Sequence, residues 1–91
     1  ETTIHISGDD LMNLPENWEE IDGRLMHEYA FENFQQAKSF VDIISDLCEE
    51  HQHHADIHFG WGYVVIELMT HDEETITEKD LSLAKAINEI R

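Results

Sequence analysis

Apolar residues recur every three to four positions between Asn33 and about His51. Phe34, Ala37, Val41, Ile44 and Cys48 make the series, with Phe40 and Leu47 beside them. That spacing gathers them into one broad stripe of a helix, the kind that faces a sheet. Gln36, Lys38, Asp42, Asp46, Glu49 and Glu50 fall largely off the stripe. From Tyr63 to Thr70 the period drops to two. Val64, Ile66 and Leu68 then share one face of a strand; Tyr63, Val65, Glu67 and Met69 share the other. Apolar groups on both faces fit either a central place in the sheet or burial by a second subunit.

Weaker patterns complete the order. Trp18 to Phe31 predicts a hairpin, because Asp22-Gly23 is a dipeptide that tolerates positive φ between two alternating runs. Leu25, His27, Tyr29 and Phe31 point one way and Met26, Glu28 and Ala30 the other, and the alternation alone does not say which face is core. Asp56 to Phe59 predicts a short strand and Gly60-Trp61-Gly62 a bend. After an acidic loop from His71 to Ile76, Thr77-Glu78-Lys79-Asp80 has the form of a capping box: Thr at the N-cap, an acid three residues on. The helix it opens carries Leu83, Ala84, Ile87 and Ile90 toward the core. Before Pro15, Ile4 and Ile6 alternate like a short strand or arm, and Leu11 to Leu14 could form one helical turn. Residues 1–14 are therefore read as an N-terminal arm or short helix. The whole is strand, strand, helix, strand, strand, helix, which predicts an α+β fold with helices on one face of an antiparallel sheet.

Length and charge narrow the function. Ninety-one residues make one domain, 1–91, with a modest core that oligomerisation would help. Five Lys and Arg stand against 21 Asp and Glu, a formal charge of −16. Such a surface repels phosphate backbones and anionic membranes, so no nucleic-acid or membrane partner is expected. Cys48 is the only cysteine, which excludes an internal disulfide and a four-thiolate zinc site. No signal peptide and no apolar run of membrane-spanning length is read, and a cytoplasmic setting is expected.

The candidate chemistry lies in Glu49 to Asp80, which holds five of the seven histidines. Imidazole both gives and takes protons near neutrality. His53 and His54 sit at a helix-to-strand junction, and His71 follows the last strand. An antiparallel sheet could bring these places together around one pocket, with Trp61, Phe59 or Tyr63 as an apolar wall for a flat ring. Two plainer readings compete. His51, His53, His54 and His58 also read as a solvated histidine patch in an acidic chain. His51 with His53, or His54 and His58 with Asp56, would suit zinc or nickel, although none of the strong zinc spacings is present.

The spacing itself is distinctive: Glu49, three residues, His53-His54-Ala55, five residues, Trp61, nine residues, His71, eight residues, Asp80. This resembles the signature of the pterin-4a-carbinolamine dehydratases. Trp18 to Arg24 is similar to that family's first hairpin, and Phe31-Glu32-Asn33-Phe34 to the start of its long helix. Thr70-His71-Asp72 and Thr77 to Ala84 are similar to its last strand end and final helix. The resemblance implies a four-stranded antiparallel sheet with helices on one side, a homodimer or homotetramer, and no metal or organic cofactor. It implies dehydration of 4a-hydroxytetrahydropterin to quinonoid dihydropterin, which recycles a tetrahydrobiopterin-type cofactor. On that reading His53, His54 and His71 are catalytic. His53 and His71 are the proton donors, one for each face of the pterin, and His54 binds and orients the ring. Glu49, Trp61 and Asp80 are the substrate-binding set, with Glu49 and Asp80 fixing imidazole tautomers or contacting the pterin's amide edge. A non-catalytic pterin-binding, dimerisation or accessory module of the same fold is the alternative. Ala55 stands where the family usually has proline, and Asp72-Glu73-Glu74 where glycines are common.

Overall fold

The computed structural model describes residues 14–90. Expectations for the arm before Leu14 lie outside the described residues. Four strands form one antiparallel sheet: β1 (Glu19–Ile21), β2 (Arg24–Ala30), β3 (Asp56–Gly60) and β4 (Tyr63–Leu68), in spatial order β1-β2-β4-β3. Helix α1 (Phe34–His51) joins β2 to β3, and α2 (Glu78–Ile90) follows β4. The predicted class and element order hold.

Local chemistry explains the boundaries. Asp22 (φ 53) and Gly23 (φ 82) both take positive φ, as a two-residue hairpin turn requires. The Asn33 side chain accepts the Gln36 N–H at 2.9 Å and caps α1. At α2 the capping box is complete: the Asp80 carboxylate accepts the Thr77 N–H at 2.9 Å, and the Thr77 hydroxyl accepts the Lys79 N–H at 3.3 Å. Strand β4 stops at Leu68; Thr70 instead pairs with Thr75 across the acidic loop.

The core lies between the sheet and the helices. Leu25 and Tyr29 from β2 and Val64, Ile66 and Leu68 from β4 meet Ala37, Phe40, Ile44 and Cys48 of α1 and Leu83, Ala84 and Ile87 of α2. The hairpin face left undecided by alternation is thus settled for Leu25 and Tyr29. His27 lies between them, stacked on Tyr29 at 3.8 Å and edge-on to Trp18 at 5.2 Å. Trp18 is itself buried, and its indole N–H donates to Asn88 Oδ1 at 3.0 Å, tying the start of the hairpin to α2. The two-sided apolar character of β4 matches its central place between β2 and β3.

Two periodic positions depart from expectation. Phe34 is 45% exposed and Ile90 41% exposed. Each begins or ends its helix, where the neighbouring turn on one side is missing. Phe34 still reaches Phe59, ring to ring at 5.4 Å.

Candidate functional site

The turn after α1 sends two adjacent imidazoles to different partners. Gln52 takes a left-handed conformation (φ 53, ψ 38), and its N–H caps the Cys48 and Glu49 carbonyls. The His53 N–H also returns to the Cys48 carbonyl at 3.1 Å. Beyond this turn His53 reaches across to α2, while His54 folds back on α1.

His53 is the enclosed member, with a side chain 11% exposed. Its Nε2 lies 2.5 Å from Oδ1 of Asp80, whose side chain has no exposed surface. A buried carboxylate is tolerable only where donors replace its hydration. Here the other oxygen, Oδ2, accepts the Thr77 N–H at 2.9 Å and the Thr70 hydroxyl at 2.8 Å. Thr70 Oγ1 also lies 2.6 Å from Thr77 Oγ1. Asp80 therefore stands behind His53 and inside a closed set of partners, away from the surface where a ligand would sit.

The other two histidines are open to solvent. His54 Nε2 meets Glu49 Oε2 at 2.6 Å, with both side chains mostly exposed. His71, just past Thr70, has its Nε2 3.7 Å from Asp56 Oδ2, close enough for charge attraction but too long for a hydrogen bond. Each of the three imidazoles thus faces a carboxylate through Nε2.

Gln52, His53, His54, Thr70, His71, Asp72 and Lys79 line one open cleft of about 240 Å³. A second, of about 290 Å³, is lined by His51, His53, Glu78, Lys79 and Ser82, so His53 and Lys79 are shared between them. Larger hollows exist on the sheet's open face and beside Phe31 and Ile43, but neither gathers more than one histidine. Chemistry, not size, selects the histidine cleft.

The structure brings His53, His54, His71, Glu49 and Asp80 to one end of the sheet. It does not bring Trp61. That residue occupies the β3–β4 turn, 73% exposed, and β3 separates it from His54 by roughly 16 Å at ~3.3 Å per residue. Phe59 and Tyr63 lie toward that same far end. Thr70, Gln52 and Lys79 join the site without having been singled out; Asp56 had been read only beside His54 and His58, and Thr77 only as a helix cap. Only Thr77 carried a usable local signal, its N-cap position. Asp56 nears His71 through the β3–β4 register, which pairs Asp56 with Glu67. Among the described residues no group of three or more His, Cys, Asp or Glu side chains is arranged to hold a metal ion.

Fold and site together define a small α+β domain with a cluster of carboxylate-backed histidines at one end of its sheet. Residues 6–90 match the family model described as pterin 4 alpha carbinolamine dehydratase. The chain belongs to that family. Two curated relatives carry the name "Putative pterin-4-alpha-carbinolamine dehydratase". One, from Sulfolobus acidocaldarius, is 40% identical over 84% of this chain and 84% of its own length. The other, from Herpetosiphon aurantiacus, is 44% identical over 80% of this chain and 76% of its own. A Brucella melitensis crystal structure, described as a transcriptional coactivator/pterin dehydratase, has the same fold: TM-score 0.82 at 24% identity, covering 94% of this chain and 97% of that one. A pterin dehydratase-like protein identified as a RuBisCO assembly factor in the alpha-carboxysome aligns with TM-score 0.64 at 26% identity, covering 80% and 84%.

Proposed function

We propose that this chain dehydrates a 4a-hydroxytetrahydropterin to quinonoid dihydropterin and water, in the recycling of a tetrahydrobiopterin-type cofactor. The observation that carries the reading is the convergence of three imidazoles on one cleft, one of them braced by a buried carboxylate. The reaction needs an acid and a base and no electron carrier. A proton goes to the C4a hydroxyl, the C4a–O bond breaks as water leaves, the N5 lone pair forms the C4a=N5 bond, and the N5 proton passes to a base. His53 and His71 fill the proton-donor role, one for each face of the ring. His54, beside Glu49 at the rim, binds and orients the ring. Asp80 acts from behind His53 rather than on the pterin, and its burial supports that division. Trp61 has no place in this cleft within one chain. The same reading takes residues 1–91 as a single cytoplasmic domain acting as a homodimer or homotetramer. No helix among the described residues is long and apolar enough to cross a membrane.

The test is a dehydratase assay on freshly made 4a-hydroxytetrahydropterin, followed by absorbance with wild type and His54→Ala. Fast dehydration that the variant loses supports the reading; no acceleration by well-folded wild type sinks it. In that event a non-catalytic accessory role takes its place. It draws support from the two solved relatives, one described as a coactivator and one as an assembly factor.

A further inference from the structure

We propose that Thr70 is a positioning residue for His53, acting through Asp80: its hydroxyl holds the carboxylate in the orientation that keeps Oδ1 on His53 Nε2 and so keeps the ring proton on that nitrogen. The inference follows from counting protons around one buried carboxylate. Thr70 Oγ1 lies 2.8 Å from Asp80 Oδ2 and 2.6 Å from Thr77 Oγ1. An ionised carboxylate only accepts, and a hydroxyl has one proton to give. The Thr70 proton therefore goes to Asp80. Thr70 can then only receive from Thr77, so the Thr77 proton points at Thr70, and a Thr77 lone pair remains for the Lys79 N–H at 3.3 Å. Oδ2 is thereby occupied by two donors, the Thr70 hydroxyl and the Thr77 N–H at 2.9 Å. Oδ1 faces His53 Nε2 at 2.5 Å, and because an ionised carboxylate only accepts, the ring donates its N–H to that oxygen for as long as the carboxylate is held there.

The ordered chain runs Thr77 to Thr70 to Asp80, with His53 donating from the other side. Neutral His53 keeps its proton on Nε2, so Nδ1 is bare; it takes up a proton first and, in the imidazolium form, is the nitrogen that donates one to a ligand. Asp80 and its two partners, Thr70 and Thr77, are each at least nine-tenths buried, so water does not substitute for a missing hydroxyl without a rearrangement. Thr70 also lines the cleft next to His71, which joins the two proton donors of the proposed reaction through one residue. The motif spacing does not include Thr70; its role arises from contacts with residues seven and ten positions later.

The kinetic part of this inference rests on the proposed dehydratase reading; the tautomer part does not. The experiment is long-range proton–nitrogen NMR on protein with ring-labelled histidine, His53 being assigned with a His53→Gln variant. Three proteins are compared: wild type, Thr70→Val, which keeps the shape and loses the hydroxyl, and Thr70→Ser, which restores it. The expected result is neutral His53 protonated on Nε2 in wild type and in Thr70→Ser; in Thr70→Val the carboxylate, short of one donor on Oδ2, turns partly off His53 and a mixture with the Nδ1 form appears. In the dehydratase assay kcat should fall about tenfold in Thr70→Val with KM little changed, and recover in Thr70→Ser. Neutral wild-type His53 protonated on Nδ1 overturns the proposal even if Thr70→Val fails to fold. So does a Thr70→Val protein with unaltered His53 signals. Absence of turnover in wild type would count against the dehydratase reading alone, because the spectra still decide the role of Thr70.

Discussion

Nε2 of His53 and Oδ1 of Asp80 lie 2.5 Å apart across 27 positions of chain, and this contact joins the end of α1 to the first turn of α2. It serves structure and chemistry together. The same carboxylate that braces the imidazole closes the capping box of α2.

Asp80→Asn tests both roles. An amide has one accepting and one donating end. If its oxygen faces His53, its NH₂ meets the Thr77 N–H; if reversed, its NH₂ meets His53 Nε2 and drives the ring proton to Nδ1. The first arrangement leaves a buried conflict; the second replaces charge-assisted hydrogen bonds with weaker neutral ones and moves the ring proton. Stability should fall by about 1–3 kcal/mol, read as a lower urea midpoint, and turnover should fall with it.

His71→Ala should separate activity from stability. The side chain is 61% exposed and its nearest carboxylate is 3.7 Å away. Turnover should drop by ~10²–10⁴-fold, the usual contribution of a well-placed acid or base. The urea midpoint should shift by no more than about 0.5 kcal/mol in stability. Unaltered turnover would remove His71 from the mechanism.

Trp61→Ala should leave turnover unchanged, since the β3–β4 turn lies at the far end of the hairpin from His53. A large loss in that variant would mean that a second copy of the chain carries Trp61 into the cleft.

Glu74 holds a left-handed φ of 56 in the loop where the family commonly has glycine. A side chain there is strained, and its carboxylate adds to a large negative charge. Glu74→Gly should raise stability by about 0.5–1 kcal/mol, the strain relieved exceeding the chain entropy that glycine adds. Denaturant titration of both proteins gives the difference.

Cys48 sits on the buried stripe of α1. Burial pushes its thiol above the ordinary range, against a hydrogen bond from the Ala55 backbone and with help from the Glu49 charge. The folded protein should therefore react slowly with thiol reagents at neutral pH and fast once unfolded. Because the folded thiol holds its proton more tightly than the unfolded one, this contribution to stability is complete below the unfolded pKa. It is lost as pH rises through the folded value, so the urea midpoint should decline on the alkaline side.

What local pattern could carry, it carried. The three- and four-residue spacing of Ala37, Phe40, Ile44 and Cys48 is the signature of α1 whatever lies around it, because a helix repeats every 3.6 residues. Alternation did the same for Val64, Ile66 and Leu68, and Asp22-Gly23 and Thr77 to Asp80 are short-range signals for a turn and a cap. The fixed spacing from Glu49 to Asp80 was enough to mark the family, and the match over residues 6–90 bears that out.

The partners of those histidines were another matter. The resemblance put Trp61 and Asp80 in one substrate-binding set and left open whether Asp80 fixes an imidazole or touches the ligand; Trp61 lies at the opposite end of a hairpin and Asp80 behind an imidazole. Alternation could not say that Leu25 and Tyr29 face inward, nor helical periodicity that Phe34 and Ile90 stay exposed. Thr70 gave no local sign of reaching Asp80. The sequence by itself determined the elements, their order and the chemically capable residues, since these depend on backbone geometry repeated over a few positions. Only the tertiary structure decided which side chains meet, because contacts between distant positions are set by strand register and by the angle at which the helices cross the sheet.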